Sequence, residues 1–326
     1  MSEKIKKKIE ELRGEISRHN KLYYTEGNPE IADSVYDSMI KELKNLEEQY
    51  PQYLTADSPT QTVGAPIPDK FAKVTHKAPM LSLESVNNQK GALHFDNTCK
   101  KEIGQNIGYM CEPKLDGISI ELVYENGIFT RGATRGNGLV GEDVTLNLKT
   151  IKSVPRKLKG KFPSMLSVRG EVMMHISDFQ ALNKKMAEKG MNTFANPRNV
   201  AAGSMRQLDY RITAERPLRV YCYRILAISE NAPGTQKEAL EWLRAMGFQV
   251  PPGVKYCPDM KAAIRYYKKV EKKRDTLDYE IDGIVIKVNT MKNQHIMGTR
   301  TSNPRWAVAY KFKPRREITK IDDIVV

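Results

Sequence analysis

The run Glu112-Pro113-Lys114-Leu115-Asp116-Gly117 sets a lysine just ahead of a tight, glycine-marked turn that leads into an apolar-alternating hairpin. An amine at the edge of a core is a nucleophile once it loses its proton, and beside a phosphate it can carry a nucleotide covalently. The same run reads equally as a turn bearing a solvated lysine. Further charged residues interrupt later strand-like segments. Arg135 lies in Thr134-Arg135-Gly136-Asn137-Gly138. There the glycines let the backbone approach a ligand while the guanidinium makes paired hydrogen bonds, or the segment is a plain glycine-rich loop. Glu171 follows Arg169-Gly170 inside an apolar strand, facing either a ligand or solvent.

Lys287 sits within Ile284-Val285-Ile286-Lys287-Val288, on an exposed face or aimed into a pocket. Period-two alternation puts it on one face with Ile281, Gly283 and Val285. Asp282 then points to the opposite face unless the strand is bulged or begins later. Lys311 shares a face with Ala307 and Ala309, while Trp306, Val308, Tyr310 and Phe312 take the other. Small residues beside a lysine leave room for a ligand, and the large ones fill a core behind it. A merely exposed face would more often carry threonine or charged neighbours. Asn196-Pro197-Arg198-Asn199, then Ala201-Ala202-Gly203-Ser204-Met205-Arg206, reads as a loop whose arginines suit phosphate contacts, or as a loop running into a short helix without a ligand.

These residues need a scaffold. The apolar spacing of Ile5, Ile9, Leu12 and Ile16 predicts an opening helix, which Asn28-Pro29 interrupts. A second helix is expected over 33–49, with Tyr36, Ile40, Leu43 and Leu46 as its apolar stripe and Pro51 ending it. The proline-bearing stretch 55–79 reads as a linker, and Met80-Leu81-Ser82-Leu83 as a short buried turn or strand. Strands begin near Tyr109. Ile118, Ile120, Leu122 and Tyr124 alternate up to Asn126-Gly127, a pair that tolerates positive φ, and 129–135 returns antiparallel. Further strands are expected over 166–173, 218–228, 281–288 and 306–312, with helices over 177–189, 237–246 and 260–274. The pattern predicts an α+β fold with antiparallel sheets.

The 326 residues suit about two domains, at roughly 150 residues each. Lysine and arginine exceed the acids by 53 to 39, a net charge of +14. That excess suits a polyanionic partner, nucleic acid first, or else a solubilising surface. Cys99, Cys111, Cys222 and Cys257 form no C-x-x-C pair, which argues against structural zinc and for a reducing cytoplasm. The charged N-terminus has no apolar stretch behind it, so neither a signal peptide nor a membrane span is expected.

Taken in order, segments 112–117, 134–138, 169–172, 196–209, 280–288 and 306–311 resemble the NAD-dependent DNA ligases of bacteria, and the likeness runs from Ile5 to the last residues. The resemblance implies a helical domain that binds nicotinamide mononucleotide over 1–68, a mixed α/β nucleotidyltransferase (adenylation) domain over 69–316, and the start of a truncated OB-fold over 317–326. It implies that Lys114 is the adenylylated nucleophile, and that Glu112, Ser82 and Leu83 contact the adenosine. Arg135 and Glu171 would hold the ribose region, and Lys287 and Lys311 the adenine and phosphate sides. Asp116, Asp282, Arg198, Arg206 and Arg274 match further positions important in the family. Tyr23, Tyr24, Asp33, Tyr36 and Asp37 match the nicotinamide mononucleotide site, where aromatic faces and carboxylates suit a cationic ring. Without the resemblance the tyrosines read as helix packing, Asp33 as a helix N-cap and Asp37 as an acid near the positive helix end. Departures from the family pattern fall at Tyr24, Thr62 and Lys313.

The chemistry so implied is attack by a neutral Lys114 amine on the adenylyl phosphorus of NAD, which is consumed as the AMP donor. Nearby cations would favour the neutral amine: Lys287, Lys311, the nicotinamide ring and a magnesium or manganese ion held by phosphate oxygens with or without one carboxylate. Nicked duplex DNA is the implied partner, no membrane and no oligomeric partner are expected, and a chain ending where the OB-fold begins is expected to complete self-adenylation but to seal nicks poorly. Two other classes share parts of the pattern. An ATP-dependent ligase or RNA-capping enzyme would need the lysines but not 23–37, and a non-enzymatic nucleic-acid-binding module would need only the charge.

Overall fold

The structure, a computed structural model, describes residues 2–20, 22, 30–55, 57–61 and 71–313. It opens with helices α1 (Ser2–Asn20) and α2 (Asp33–Gln49). There follow β1 (Lys73–Thr75), β2 (Glu84–Val86), α3 (Gln89–Ile103), β3 (Tyr109–Leu115), β4 (Ile118–Glu125), β5 (Ile128–Thr134), β6 (Val140–Glu142) and α4 (Thr145–Thr150). Next come β7 (Met165–Met174), α5 (Ile176–Glu188), α6 (Pro197–Met205), α7 (Tyr210–Ala214), β8 (Leu218–Ile228) and α8 (Gln236–Ala245). The chain continues with β9 (Lys255–Cys257), α9 (Met260–Lys273), β10 (Ile281–Val288), α10 (Met291–Met297) and β11 (Ala307–Lys311).

Helices α1 and α2 pack through Ile9, Ile16 and Leu43, the apolar stripe that their spacing predicts. Ala32 takes the cap position of α2, so Asp33 is the first helical residue rather than the cap. Glu47 is buried on α2, where Arg13 Nη2 approaches one carboxylate oxygen at 2.6 Å and Ser58 Oγ donates to it at 2.6 Å. This carboxylate fastens the segment after α2 back onto the helices. Part of the supposed linker 55–79 is therefore structured, and β1 within it pairs antiparallel with β6.

Two larger sheets carry the rest. One is five-stranded in the order β2-β11-β10-β3-β9, the other four-stranded in the order β5-β4-β7-β8. All their pairings are antiparallel except β11 with β2, which is parallel. Those two strands meet from distant parts of the chain, so no hairpin dictates their direction. Asn126 and Gly127, at φ 48° and 75°, make the expected two-residue turn between β4 and β5.

Alternation gives each sheet two unlike faces. Tyr109, Cys111 and Leu115 of β3 join Ile284 and Ile286 of β10 in a core with α3 and α9. Ile120 and Leu122 of β4 join Val168 and Val220 in a second core with α6 and α8. The opposite faces meet each other, and the polar residues of the strands lie between them.

Two of the register shifts bear on the cleft, and alternation foresees neither. In β10 the pairing with β3 shifts between Ile281 and Gly283. Ile281 therefore joins the helix-facing core together with Ile284 and Ile286, and does not share the face of Lys287. Gly283 is needed here, since a Cβ would stand 2.3 Å from the Tyr310 carbonyl and 2.7 Å from Lys311 Cα. In β8 the register passes from Cys222 to Arg224, leaving Tyr223 as an extra residue.

A buried pair locks β1 and the turn after β5 to the four-stranded sheet. His76 Nδ1 lies 2.7 Å from Glu121 Oε2, and His76 Nε2 lies 3.0 Å from the Arg135 carbonyl oxygen. Ser167 Oγ and Lys77 N–H donate to the other Glu121 oxygen. Removing His76 leaves Glu121 Oε2 buried without its partner, with Ser167 and Lys77 still on the other oxygen. His76→Ala is expected to lower the unfolding free energy by about 3–5 kcal/mol, read from urea unfolding curves. A loss below about 1 kcal/mol would show that the pair is not a structural anchor.

Candidate active site

The two sheets enclose a cleft of about 1260 Å³, roomy enough for a dinucleotide. Lys114 stands near the end of β3 with its Nζ in the cleft, so it is neither a turn residue nor a solvated surface charge. Its ammonium donates to Asp282 Oδ2 at 2.8 Å. Lys311 Nζ lies 3.9 Å from that same oxygen and donates to Asp37 Oδ2 on α2 at 2.6 Å. A chain of alternating charge thus runs from β3 through β10 and β11 to the N-terminal helices.

This geometry reverses one expectation. Burial alone would lower the Lys114 pKa, but the Asp282 charge and hydrogen bond outweigh it and raise the pKa above the ordinary lysine value. The closest charge to the amine is an anion, not the cations foreseen from the sequence. Next to it, Arg198 pairs with Asp116. Burial would raise the Asp116 carboxyl, and Arg198 followed by Lys114 pulls it below its ordinary value. Arg198 reaches this position from the first turn of α6, which Asn196 caps by accepting from the Asn199 N–H.

A second cluster sits further along the cleft. Lys287 Nζ donates to Glu112 Oε2 at 2.8 Å and to the Tyr223 carbonyl at 3.2 Å. Glu112 and Lys287 are 2% and 4% exposed, so each depends on the other for its charge. Burial nevertheless holds the Lys287 pKa below its ordinary value, only partly offset by Glu112. The Tyr223 ring lies under Lys287, with Nζ 5.2 Å from its centroid, and its hydroxyl donates to Glu171 Oε2 at 3.0 Å. Burial pushes the Tyr223 hydroxyl up to about 12 and the Glu171 carboxyl above its ordinary value.

Ser82, Leu83, Tyr36, Arg135 and Arg206 also line the cleft. Arg135 Nη1 lies 3.5 Å from Ser82 Oγ, and the Tyr36 hydroxyl donates to Asn20 at 2.7 Å. The segment Met80-Leu81-Ser82-Leu83 is an extended rim rather than a strand, held where Arg169 Nη1 donates to the Leu81 carbonyl at 2.6 Å. Arg274 does not line the cleft. Its guanidinium lies over the Phe312 ring, 5.5 Å from the centroid, at the end of α9. Tyr23 and Tyr24 lie outside the described residues, as do the interdomain boundary at 68/69 and the segment 317–326.

Sequence reasoning overlooked Tyr223, Arg224 and Gln236. Arg224 lies over Trp306, 4.5 Å from the ring centroid, and burial pushes its pKa down to about 10. The extra residue in β8 brings both Tyr223 and Arg224 to the cleft, and no alternation pattern reports that. Arg169, two residues before Glu171 on β7, also lines the cleft, and period-two spacing puts the two on one face.

Among the described residues, no group of three or more His, Cys, Asp or Glu side chains is arranged to hold a metal ion. Asp282 Oδ1 is, however, buried without a hydrogen-bond partner. Among the described residues, too, no helix is long and apolar enough to cross a membrane.

The sign of the Lys114 shift is testable. A free lysine is only ~0.4% neutral at pH 8, and a raised pKa lowers that fraction further. Asp282→Asn removes the anion and leaves burial to lower the pKa, so the neutral fraction rises. Competitive acetylation of the nucleotide-free chain at pH 8, mapped by mass spectrometry, is expected to label Lys114 about tenfold faster in the variant. Equal or slower labelling would refute the role assigned to Asp282.

The sequence model described as the NAD-dependent DNA ligase adenylation domain matches residues 68–315. A second, described as the DNA ligase-like N-terminal NAD+-binding domain, matches residues 2–64. The DNA ligase of Geotalea daltonii is 48% identical over 323 residues, covering 98% of the chain and 48% of the relative. That of Caldicellulosiruptor bescii is 48% identical over 327 residues, covering 100% of the chain and 48% of the relative. The chain therefore spans about half the length of the curated relatives it matches. Among solved structures, a mycobacterial DNA ligase D complexed with ATP and MES overlaps 71% of the chain and 60% of its own, at 12% identity and a TM-score of 0.36.

Proposed function

The chain belongs to the NAD-dependent DNA ligases, and from that premise we propose that Lys114 takes AMP from NAD and releases nicotinamide mononucleotide. The observation that carries this reading is that Lys114 and Asp37 belong to one chain of contacts in one cleft. A substrate with two nucleotide halves suits a site shared between a nucleophile on the sheet and an acidic residue on the helical hairpin.

In this reading the Lys114 nitrogen attacks the adenylyl phosphorus, a nitrogen–phosphorus bond forms, and the bond to the nicotinamide mononucleotide oxygen breaks. The Lys114 proton leaves first, and Asp282 at 2.8 Å is the acceptor in place. Lys311, 3.9 Å from the shared Asp282 oxygen, would offset the charge gathering on the phosphate, and Arg198 holds the Asp116 carboxyl below its ordinary value beside the amine. A magnesium or manganese ion would draw most of its ligands from phosphate oxygens and water, with the unpartnered Asp282 Oδ1 or Glu171 as the carboxylate oxygen. When bound, it supplies positive charge against the phosphates.

The base end falls to the second cluster. Glu112 keeps lone pairs and Lys287 keeps one proton beyond the bonds they make to each other and to Tyr223. An acceptor beside a donor suits the edge of a 6-aminopurine, whose amine donates and whose ring nitrogen accepts. Arg135, Ser82 and Leu83 would flank the ribose, Tyr36 and Asp37 the nicotinamide half with Tyr23, Tyr24 and Asp33, and Arg206 a phosphate. Nicked duplex DNA is the partner to which the AMP would pass next. The site works within a single chain, in the cytoplasm, whose reducing conditions suit buried, unbonded cysteines.

Incubation with NAD and magnesium is expected to add the mass of one AMP, mapped to Lys114, and Lys114→Ala is expected to abolish the gain. A label on another residue, or no label, would end the reading. Equal labelling by ATP would favour a nucleotidyltransferase with no use for the helical hairpin.

A further inference from the structure

Gln236 is the first residue of α8, far in sequence from every residue discussed as a ligand contact, and only 1% exposed. Its Nε2 donates to Glu112 Oε1 at 2.9 Å and to the Tyr223 carbonyl at 2.8 Å. Both neighbours are pure acceptors, so the orientation of the amide is fixed by chemistry: only its NH₂ end satisfies them.

The four groups close a ring. Glu112 offers one oxygen to Lys287 and the other to Gln236. The Tyr223 carbonyl accepts from the same two donors. Tyr223 has no register partner on β7, so its carbonyl is met by side chains here. Thr235 caps α8 by accepting from the Glu238 N–H, and Gln236 N–H donates to the Asn289 carbonyl just past β10 at 2.7 Å. The amide is thus anchored by backbone at both the helix start and the strand that carries Lys287.

We propose that Gln236 is a positioning residue for base selection: it clamps the Glu112 carboxylate so that Glu112 and Lys287 together present one fixed acceptor–donor edge to the purine. The inference rests on the reading that Glu112 and Lys287 hold the base. Without the clamp, the carboxylate is free to turn about its last torsion and Lys287 alone holds the Tyr223 carbonyl. A turning carboxylate still pairs with Lys287 but no longer distinguishes an amino from an oxo group. Gln236 touches nothing in the Lys114 cluster, so its loss acts on recognition rather than on transfer.

Single-turnover adenylylation of the whole chain by NAD and by nicotinamide hypoxanthine dinucleotide, followed by intact mass, tests this. The second substrate replaces the 6-amino group by oxygen. Gln236→Met keeps the length and removes the donors. It is expected to raise the half-saturating NAD concentration, to leave the maximal rate within about twofold, and to shrink the preference for NAD about tenfold. Gln236→Asn, whose shorter amide cannot reach both acceptors, is expected to act the same way and serves should the methionine variant not fold. An unchanged preference in a folded variant overturns the proposal, as does an equal fall in use of both substrates, which marks a merely structural residue. Glu112→Gln is run alongside. If it collapses the preference while the Gln236 variants keep it, the base reading stands and the clamp falls. If it leaves the preference intact, the base reading itself is wrong and the clamp falls with it.

Discussion

A lysine amine enclosed between two sheets must either shed its charge or find an anion, and Lys114 finds Asp282 at 2.8 Å. Everything around the cleft follows from that demand. Asp282 is shared, with Lys311 3.9 Å from the same oxygen, and Lys311 in turn reaches Asp37 on the helical hairpin. Along this chain each charge meets an opposite one before any substrate arrives. The same logic holds at the other cluster, where Glu112 and Lys287 are almost wholly buried and answer each other. Removing solvent strengthens these pairs and makes any unpaired member costly.

The fold supplies that arrangement by two local departures from regularity. A regular strand offers every second residue to one face. The irregularity at Asp282 lets β10 give Asp282 as well as Val285 and Lys287 to the cleft, while Ile281, Ile284 and Ile286 stay in the core. The extra residue Tyr223 does the same for β8, adding a ring, a hydroxyl and a carbonyl next to Arg224. The β8 bulge meets Lys287 of the other sheet through the Tyr223 carbonyl, whereas Asp282 is partnered within its own sheet by Lys114 and Lys311. Gly283 makes the irregularity in β10 possible, because its missing side chain admits the Tyr310 carbonyl and the Lys311 backbone.

These departures explain what could and could not be seen in the sequence. Alternating apolar residues and Asn126-Gly127 were enough for the β4–β5 hairpin, and β8, β10 and α2 fall where spacing puts them. Lys311 among Ala307 and Ala309 was readable as a cleft residue because small neighbours signal room. Asp282 was not, since its face depends on a bulge. Gln236 was not, since it belongs to a helix start that only tertiary packing brings to Glu112. The short strands β1 and β6 escaped notice because a three-residue strand carries no period. The Lys114 surroundings were misjudged in sign, because an excess of cations in composition says nothing about which charge is nearest.

The pairing that keeps the resting cleft stable also opposes its chemistry. An ammonium held by Asp282 is not a nucleophile, and the raised Lys114 pKa deepens that resting state. The opposition is resolved if the groups that hold the lysine are those that the substrate engages. A phosphate entering beside Lys311 competes with Asp37 and Asp282 for the same ammonium. In the proposed reaction, once Lys311 turned to the phosphate, Asp282 would be left with one cation fewer beside it. The lysine then meets phosphorus and base at the same moment. In that reaction Asp282 would take the proton from Lys114, and Lys311 would link that step to the arrival of the phosphate. The helical hairpin would take part in that reading because Lys311 rests on Asp37.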